Sequence, residues 1–388
     1  MSTAKTYDLV VVGLGALGSS TCWHAARRGL SVLGLEQFEL GHDRGASHDT
    51  SRILRHSYHT PAYVDLTFAA YDDWADLEDE SGEALVTVTG GIDLFPTDAG
   101  IPMSDYTTSM AARGVPYDVL DVDAVTSRWP QFRLPEGTAA LFQGRTGIVP
   151  AARGTTAMQR QAQRHGAELR GNARVEALVP RVDAVDVMTS QGVVSAAKVV
   201  VTADAWTSAL LVPLGYDLPL TVTEEQVTYF TPPAPELFSA SDFPVWIWMD
   251  DPSYYGFPTY GEATVKAAQD CGGPQVTGDK RSGQIDPAML GRLTDFMAGL
   301  IPDSGPVARS KRCLYTLTPD RDFVVSAVPG NENIVVGLGA AHGFKFAATF
   351  GRLLTDLVTT GTTDADISAF GLDRPGLTDP SYDAHWMV

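Results

Sequence analysis

The chain has 388 residues, 44% of them hydrophobic, and a formal net charge of −19. That size and composition indicate a globular protein of two or three domains, and the negative charge repels nucleic acid and anionic membranes, so neither is an expected partner. Cys22, Cys271 and Cys313 are too few for a disulfide framework, and no CxxC or Cys/His cluster marks a zinc site.

Residues 7–12 (YDLVVV) form a short apolar run, as in a buried parallel strand, which breaks at Gly13 into GLGALG. Gly13 permits a tight turn, Gly15 lets backbone approach a pyrophosphate, and Gly18 lets the helix over 16–28 pack on the strand with its first amides facing the anion. Gly29 stops the helix. A second strand over 30–35 ends in Glu36, placed to accept the ribose hydroxyls and to disfavour a 2′-phosphate. The unit is a complete dinucleotide fingerprint for FAD or NAD, and its N-terminal position leans towards FAD. The apolar run 9–17 is too short to span a bilayer, no signal peptide precedes the strand, and the end, His385-Trp386-Met387-Val388, is not a peroxisomal address. A cytoplasmic protein is expected.

A glycine-containing polar loop, 37–50, follows, and order resumes at 51–56 with Arg52, Arg55 and His56. Helical spacing covers 63–77 and closes in the acidic run 76–83. A strand over 90–95 and short helices over 103–113 and 124–129 lead to a crossing at 147–150 and a helix over 151–165. Strands are expected over 169–175, 184–189 and 193–202, the last continuously apolar from Val199 and so buried and parallel. Alternation over 223–231, 245–249 and 254–266 suggests antiparallel sheet. A helix over 284–300, strands over 311–317, 323–327 and 334–337, and a helix over 344–359 complete the chain. The expected fold class is α/β: a discontinuous Rossmann-type FAD-binding domain (1–88, 146–220 and 320–388) enclosing a substrate domain with a mainly antiparallel sheet (89–145 and 221–319).

With the fingerprint, the basic loop, KRCLYTLTPDRDFVV and GLGAAHGFKFA together, the chain resembles the monomeric sarcosine oxidase and N-methyltryptophan oxidase family over nearly its whole length. The resemblance implies a flavoprotein, a monomer or weak homo-oligomer, that oxidises the C–N bond of an N-substituted amino acid with O2 as acceptor and hydrogen peroxide as product. It implies FAD held covalently through Cys313. On the residues alone Cys313 is either a buried structural cysteine or a thiol activated by Lys311 and Arg312.

The resemblance puts His48 and Arg52 beside the flavin ring, and Arg55 and Lys345 on the substrate carboxylate, a role that suits a guanidinium fork. Lys266 matches the lysine that meets flavin N5 and activates oxygen, Tyr255 and Tyr315 the pocket tyrosines, and Val175 the residue whose backbone meets adenine. His342, Gly343 and Phe344 pass beneath the ring, and Trp246 and Trp248 add apolar wall. The chain departs from the family twice. Asp204 stands where glycine is usual, and Asp270, four residues past Lys266, replaces a histidine. An unpartnered Asp270 would favour a substrate whose nitrogen substituent carries hydroxyls or a cation, such as a fructosyl or cyclic amino acid, over sarcosine. A dehydrogenase passing electrons to a carrier is the alternative enzyme class, against which Lys266 speaks.

Overall fold

A computed structural model describes residues 6–385; the tail 386–388 lies outside the described residues. Thr6–Val12, buried from Leu9 onward, pairs in parallel with Val32–Leu35 on one side and Gly192–Val201 on the other. Gly192–Val201 pairs in parallel with Asn331–Leu338, and Glu168–Arg170 lies beside Val32–Leu35. Both faces are covered over 9–12, 32–35, 199–201 and 334–338, which is why those stretches are continuously apolar. Antiparallel Val175–Pro180, Val185–Thr189 and Val324–Val328 complete an eight-stranded sheet. Helix Ala16–Arg27 packs on this sheet between Ala151–Arg164 and Ala347–Thr360.

The second sheet runs in the order Val307–Leu317, Thr221–Phe230, Val265–Gln269, Tyr254–Phe257, Val245–Trp248, Gly91–Phe95, Ala139–Gln143, Asp118–Leu120. It is antiparallel except where Val245–Trp248 meets Gly91–Phe95 in parallel. A small third sheet joins Arg52–Leu54, Gly147–Val149 and Thr87–Val88, so the expected crossing at 147–150 is itself a strand.

Several elements differ from the sequence expectation. The strand expected over 169–175 is two strands, broken near Asn172, whose φ of 55° lies in the left-handed region. Its first part pairs with Val32–Leu35, and its second begins an antiparallel hairpin. Helix Pro287–Leu300 starts after 284 because the Asp286 carboxylate caps the amides of Ala288 and Met289. A 3₁₀ turn, Gly343–Phe346, precedes the last helix, Ala347–Thr360. Asp118–Leu120 and Ala139–Gln143 carried no alternation that would have marked them as strands.

Candidate active site between the two sheets

The strand ends at Val12, Thr202 and Leu338 open into a cavity of about 520 Å3 whose far wall is Cys313–Thr316 of the second sheet, a size typical of ligand sites. Gly13 has φ +91°, and a Cβ there would lie 2.5 Å from the Thr202 carbonyl oxygen; one on Gly18 would lie 1.9 Å from the Gly13 oxygen. Neither position admits a side chain, so the turn and the helix start are held as a backbone cradle for phosphate. Glu36 ends Val32–Leu35 and lines the cavity, accepting from the amides of Leu14 (2.9 Å) and Phe38 (3.1 Å). Burial pushes its carboxyl up, but His42 and these amides outweigh that and hold it below the usual range. Val175 lies at this end, and Gly343 and Phe344 at the other. The residues present fit a dinucleotide with its ribose at Glu36 and its reactive end at Cys313.

Cys313, His48, Arg52, Tyr315 and Phe344 line both this cavity and a smaller one of about 120 Å3. Arg52 donates to the carbonyls of Ser51 (2.8 Å), Ala46 (2.8 Å) and His48 (3.0 Å), so its fork pins the basic loop. Neither ring nitrogen of His48 has a partner, and burial, with Arg52 nearby, pushes its pKa down to about 4. It therefore faces the cleft as a neutral imidazole. Cys313 corrects an expectation: burial pushes its thiol up to about 11, and the cations that oppose this are Arg52 and Lys266. Arg312 points to the opposite face of the strand, where it donates to the carbonyl of Glu224 (2.7 Å) and to Gln226 (3.1 Å), because side chains alternate along a strand.

The smaller cavity brings together Arg55, Lys345, His342, Tyr255, Tyr315, Asp270 and Arg321. Tyr255 and Tyr315 meet hydroxyl to hydroxyl at 3.4 Å. Arg55 is buried and paired with Asp93 at 3.2 Å, which also accepts from Ser57. Lys345, 8% exposed, donates to the His342 carbonyl at 2.9 Å. Burial, with Arg55 and Arg321 close by, holds its pKa well below the usual lysine value. Ile247, not Trp246 or Trp248, reaches this cavity; the two tryptophans belong to the apolar core on the other face of their strand.

Four further residues bear on the sequence reading. Asp270 is not unpartnered: Arg321 donates to both its oxygens, at 2.7 and 3.0 Å, which removes the reason to require a hydroxyl or cation from the substrate. Arg321 itself went unrecognised, because it lies 51 residues away on a loop. Lys266 sits in the middle of the sheet at 3% exposure but lines neither cavity. Its ammonium pairs with Asp49 at 2.6 Å, and Asp49 is the group that faces the smaller cavity. Asp204 has φ +45°, so the backbone adopts a conformation suited to the usual glycine. Its Oδ2 is buried without a partner, and burial raises its carboxyl to about 6 against the opposing Thr316 hydroxyl.

Comparison with known proteins agrees with this fold. The profile of the FAD dependent oxidoreductase family matches residues 8–357. The chain is 32% identical to monomeric sarcosine oxidase of Streptomyces avermitilis, covering 95% of this chain and 97% of that protein. It is 30% identical to N-methyl-L-tryptophan oxidase of Yersinia pestis, covering 95% and 99%. The solved structure of NikD, an unusual amino acid oxidase essential for nikkomycin biosynthesis, superposes with a TM-score of 0.85 at 28% identity, covering 95% of this chain and 97% of that one.

Proposed function

Because the chain belongs to the FAD dependent oxidoreductase family, we propose that it oxidises the C–N bond of a small N-substituted α-amino acid, N-methylated or cyclic, with O2 as acceptor and hydrogen peroxide as product. FAD in the larger cavity supplies the hydride acceptor. The observation that carries the substrate class is Lys345, a buried ammonium lining the smaller cavity with no ion-pair partner among the described residues. A substrate carboxylate supplies that partner, and Arg55, paired with Asp93, lines the same cavity and adds positive charge beside it. Anchored there, the α-carbon faces the larger cavity, and proximity lowers the barrier. The neutral His48 imidazole and the two tyrosine hydroxyls meet the amine.

Size discriminates among substrates. At about 120 Å3 the cavity is well below the roughly 300–1,000 Å3 of sites for drug-sized ligands, which favours a few heavy atoms over a fructosyl adduct or an indole. Cys313, which stands where the two cavities meet, would hold FAD through its sulfur. An Sγ–C bond there would replace the thiol S–H and one methyl C–H, with O2 taking up the two electrons and two protons released as hydrogen peroxide. High thiol pKa makes this attachment slow, with Arg52 and Lys266 the cations that assist it. Among the described residues no helix is long and apolar enough to cross a membrane, and all three cysteines are free, which supports a reducing, cytoplasmic setting.

The test is anaerobic mixing of the yellow protein with a panel of primary, N-methyl, cyclic and fructosyl amino acids, followed by air. Bleaching by small secondary amino acids, then peroxide on aeration, is expected. Bleaching only by the fructosyl compounds, or by none, would overturn the reading.

A further inference from the structure

Asp49 lies between Lys266 and the smaller cavity. Its φ is +80°, a conformation that L side chains rarely adopt, and the turn directs its carboxylate at the Lys266 ammonium 2.6 Å away, with both side chains 3% exposed. Tyr229 donates to the same carboxylate at 2.6 Å. Lys266 also donates to the carbonyl and hydroxyl of Ser51, at 3.1 and 3.3 Å, and stands over the Phe257 ring. The charged or titratable groups around the pair are Arg52 from its strand, Tyr229 from the neighbouring strand, Arg309, Lys311 and Cys313 from Val307–Leu317, and His48 from the loop; Arg309 also lies over the Tyr229 ring and is paired with Glu262. Lys311 approaches Asp49 only to 3.8 Å and is itself half exposed.

We infer that Asp49 is a positioning residue for the oxygen step: it holds the proton on Lys266 and at the same time cancels the field of that ammonium at the cleft. The inference rests on the reading of Lys266 as the oxygen-activating cation. An unpaired ammonium would stabilise the negative charge that develops as oxygen takes its first electron. Paired with an anion nearer the cavity, it contributes a dipole whose negative end leads. The same anion is what keeps a fully buried lysine charged, because burial and Arg52 push Lys266 down to about 8 and Asp49 opposes them. Removing Asp49 therefore has two separable effects, a stronger field while Lys266 is protonated and an earlier loss of that proton as pH rises.

The chain has six lysines, few enough for the side-chain ¹⁵N resonances of the FAD-loaded protein to be followed one by one against pH, with Lys266→Met identifying the signal. Wild type should titrate near the depressed value, and Asp49→Asn at least one pH unit lower. In rapid mixing of the reduced protein with oxygen, Asp49→Asn should reoxidise faster than wild type at acidic pH, by about 10-fold or more, and fall off at a lower pH. Reduction by substrate, whose cavity Asp49 also lines, should change by a smaller factor than reoxidation. Tyr229→Phe, which leaves Asp49 in place but less stabilised as an anion, should shift the Lys266 titration upward and keeps the proposal testable should Asp49→Asn fold poorly. An unmoved Lys266 resonance in Asp49→Asn, or in Tyr229→Phe where only that variant folds, overturns the inference. Should the resonance move while Lys266→Met reoxidises like wild type, the oxygen role of Lys266 fails and the charge pairing stands.

Discussion

Replacing Lys345 by methionine keeps the length and apolar stem of the side chain and removes only the ammonium. A carboxylate about 4 Å from an ammonium gains roughly 4 kcal/mol at an effective dielectric constant near 20, and truncating one member of a desolvated charge pair costs about 2–5 kcal/mol. At 1.4 kcal/mol per decade the substrate Kd should rise by about 30- to 4,000-fold. The lower part of that range is expected, since the Arg55 charge still lines the same cavity. Burial first, then Arg55 and Arg321, depresses the Lys345 pKa, which adds a pH signature. Below that depressed value the lysine is already charged and carboxylate affinity is greatest. Above it, binding must take up a proton, so affinity falls about tenfold per pH unit until the pKa of the complex is passed. Lys345→Met should abolish this limb. The assay is anaerobic titration of the flavin absorbance with a small carboxylate inhibitor from pH 6 to 10, checked by melting temperature. Binding within threefold of wild type, with the pH limb intact, would refute the carboxylate assignment.

Two further outcomes follow from the same geometry. Wild-type protein precipitated in acid should stay yellow and release its flavin on the Cys313 peptide, whereas Cys313→Ser should give a colourless pellet; equal release from both would dismiss the tether. Asp270→Asn should destabilise the protein by about 2–3 kcal/mol, less than the roughly 3–5 kcal/mol of breaking a fully buried pair because the Asp270 side chain is 20% exposed. Asp270→Leu combined with Arg321→Met should recover most of that loss in thermal unfolding. An unchanged melting temperature in the single variant would mean that the pair is dispensable.

What the sequence disclosed was local. Gly13, Gly15, Gly18 and Glu36 announce themselves because turn, helix start and strand end fall within one βαβ unit whose spacing is set by backbone geometry. Lys266 stood out as a lysine in an apolar strand, and the structure buries it. Its partner was not found, because Asp49 looked like one polar residue in a glycine-containing loop and the pairing spans 217 positions. Arg321, and with it the pairing that satisfies Asp270, escaped for the same reason: an ion pair between a loop and a strand end leaves no periodic trace. Trp246 and Trp248 show a different limit. Both faces of their strand are covered, so composition could not say which set of alternating side chains faces the cavity, and Ile247 does.

The fingerprint strand also carries a consequence for biosynthesis. Thr6–Val12 leaves the ribosome first, yet its second neighbour, Gly192–Val201, begins about 190 residues later and takes its own partner only from Asn331–Leu338. At translation rates of roughly 5–20 residues per second, an apolar edge waits roughly 10–40 s before the strand that covers it exists. The phosphate turn is held against the Thr202 carbonyl, so the nucleotide cradle cannot close in that interval either. Slow, non-local pairing of this kind exposes a nascent chain to aggregation, and the yield of folded protein will respond to elongation rate, chaperone supply and growth temperature before it responds to the amount of flavin in the cell.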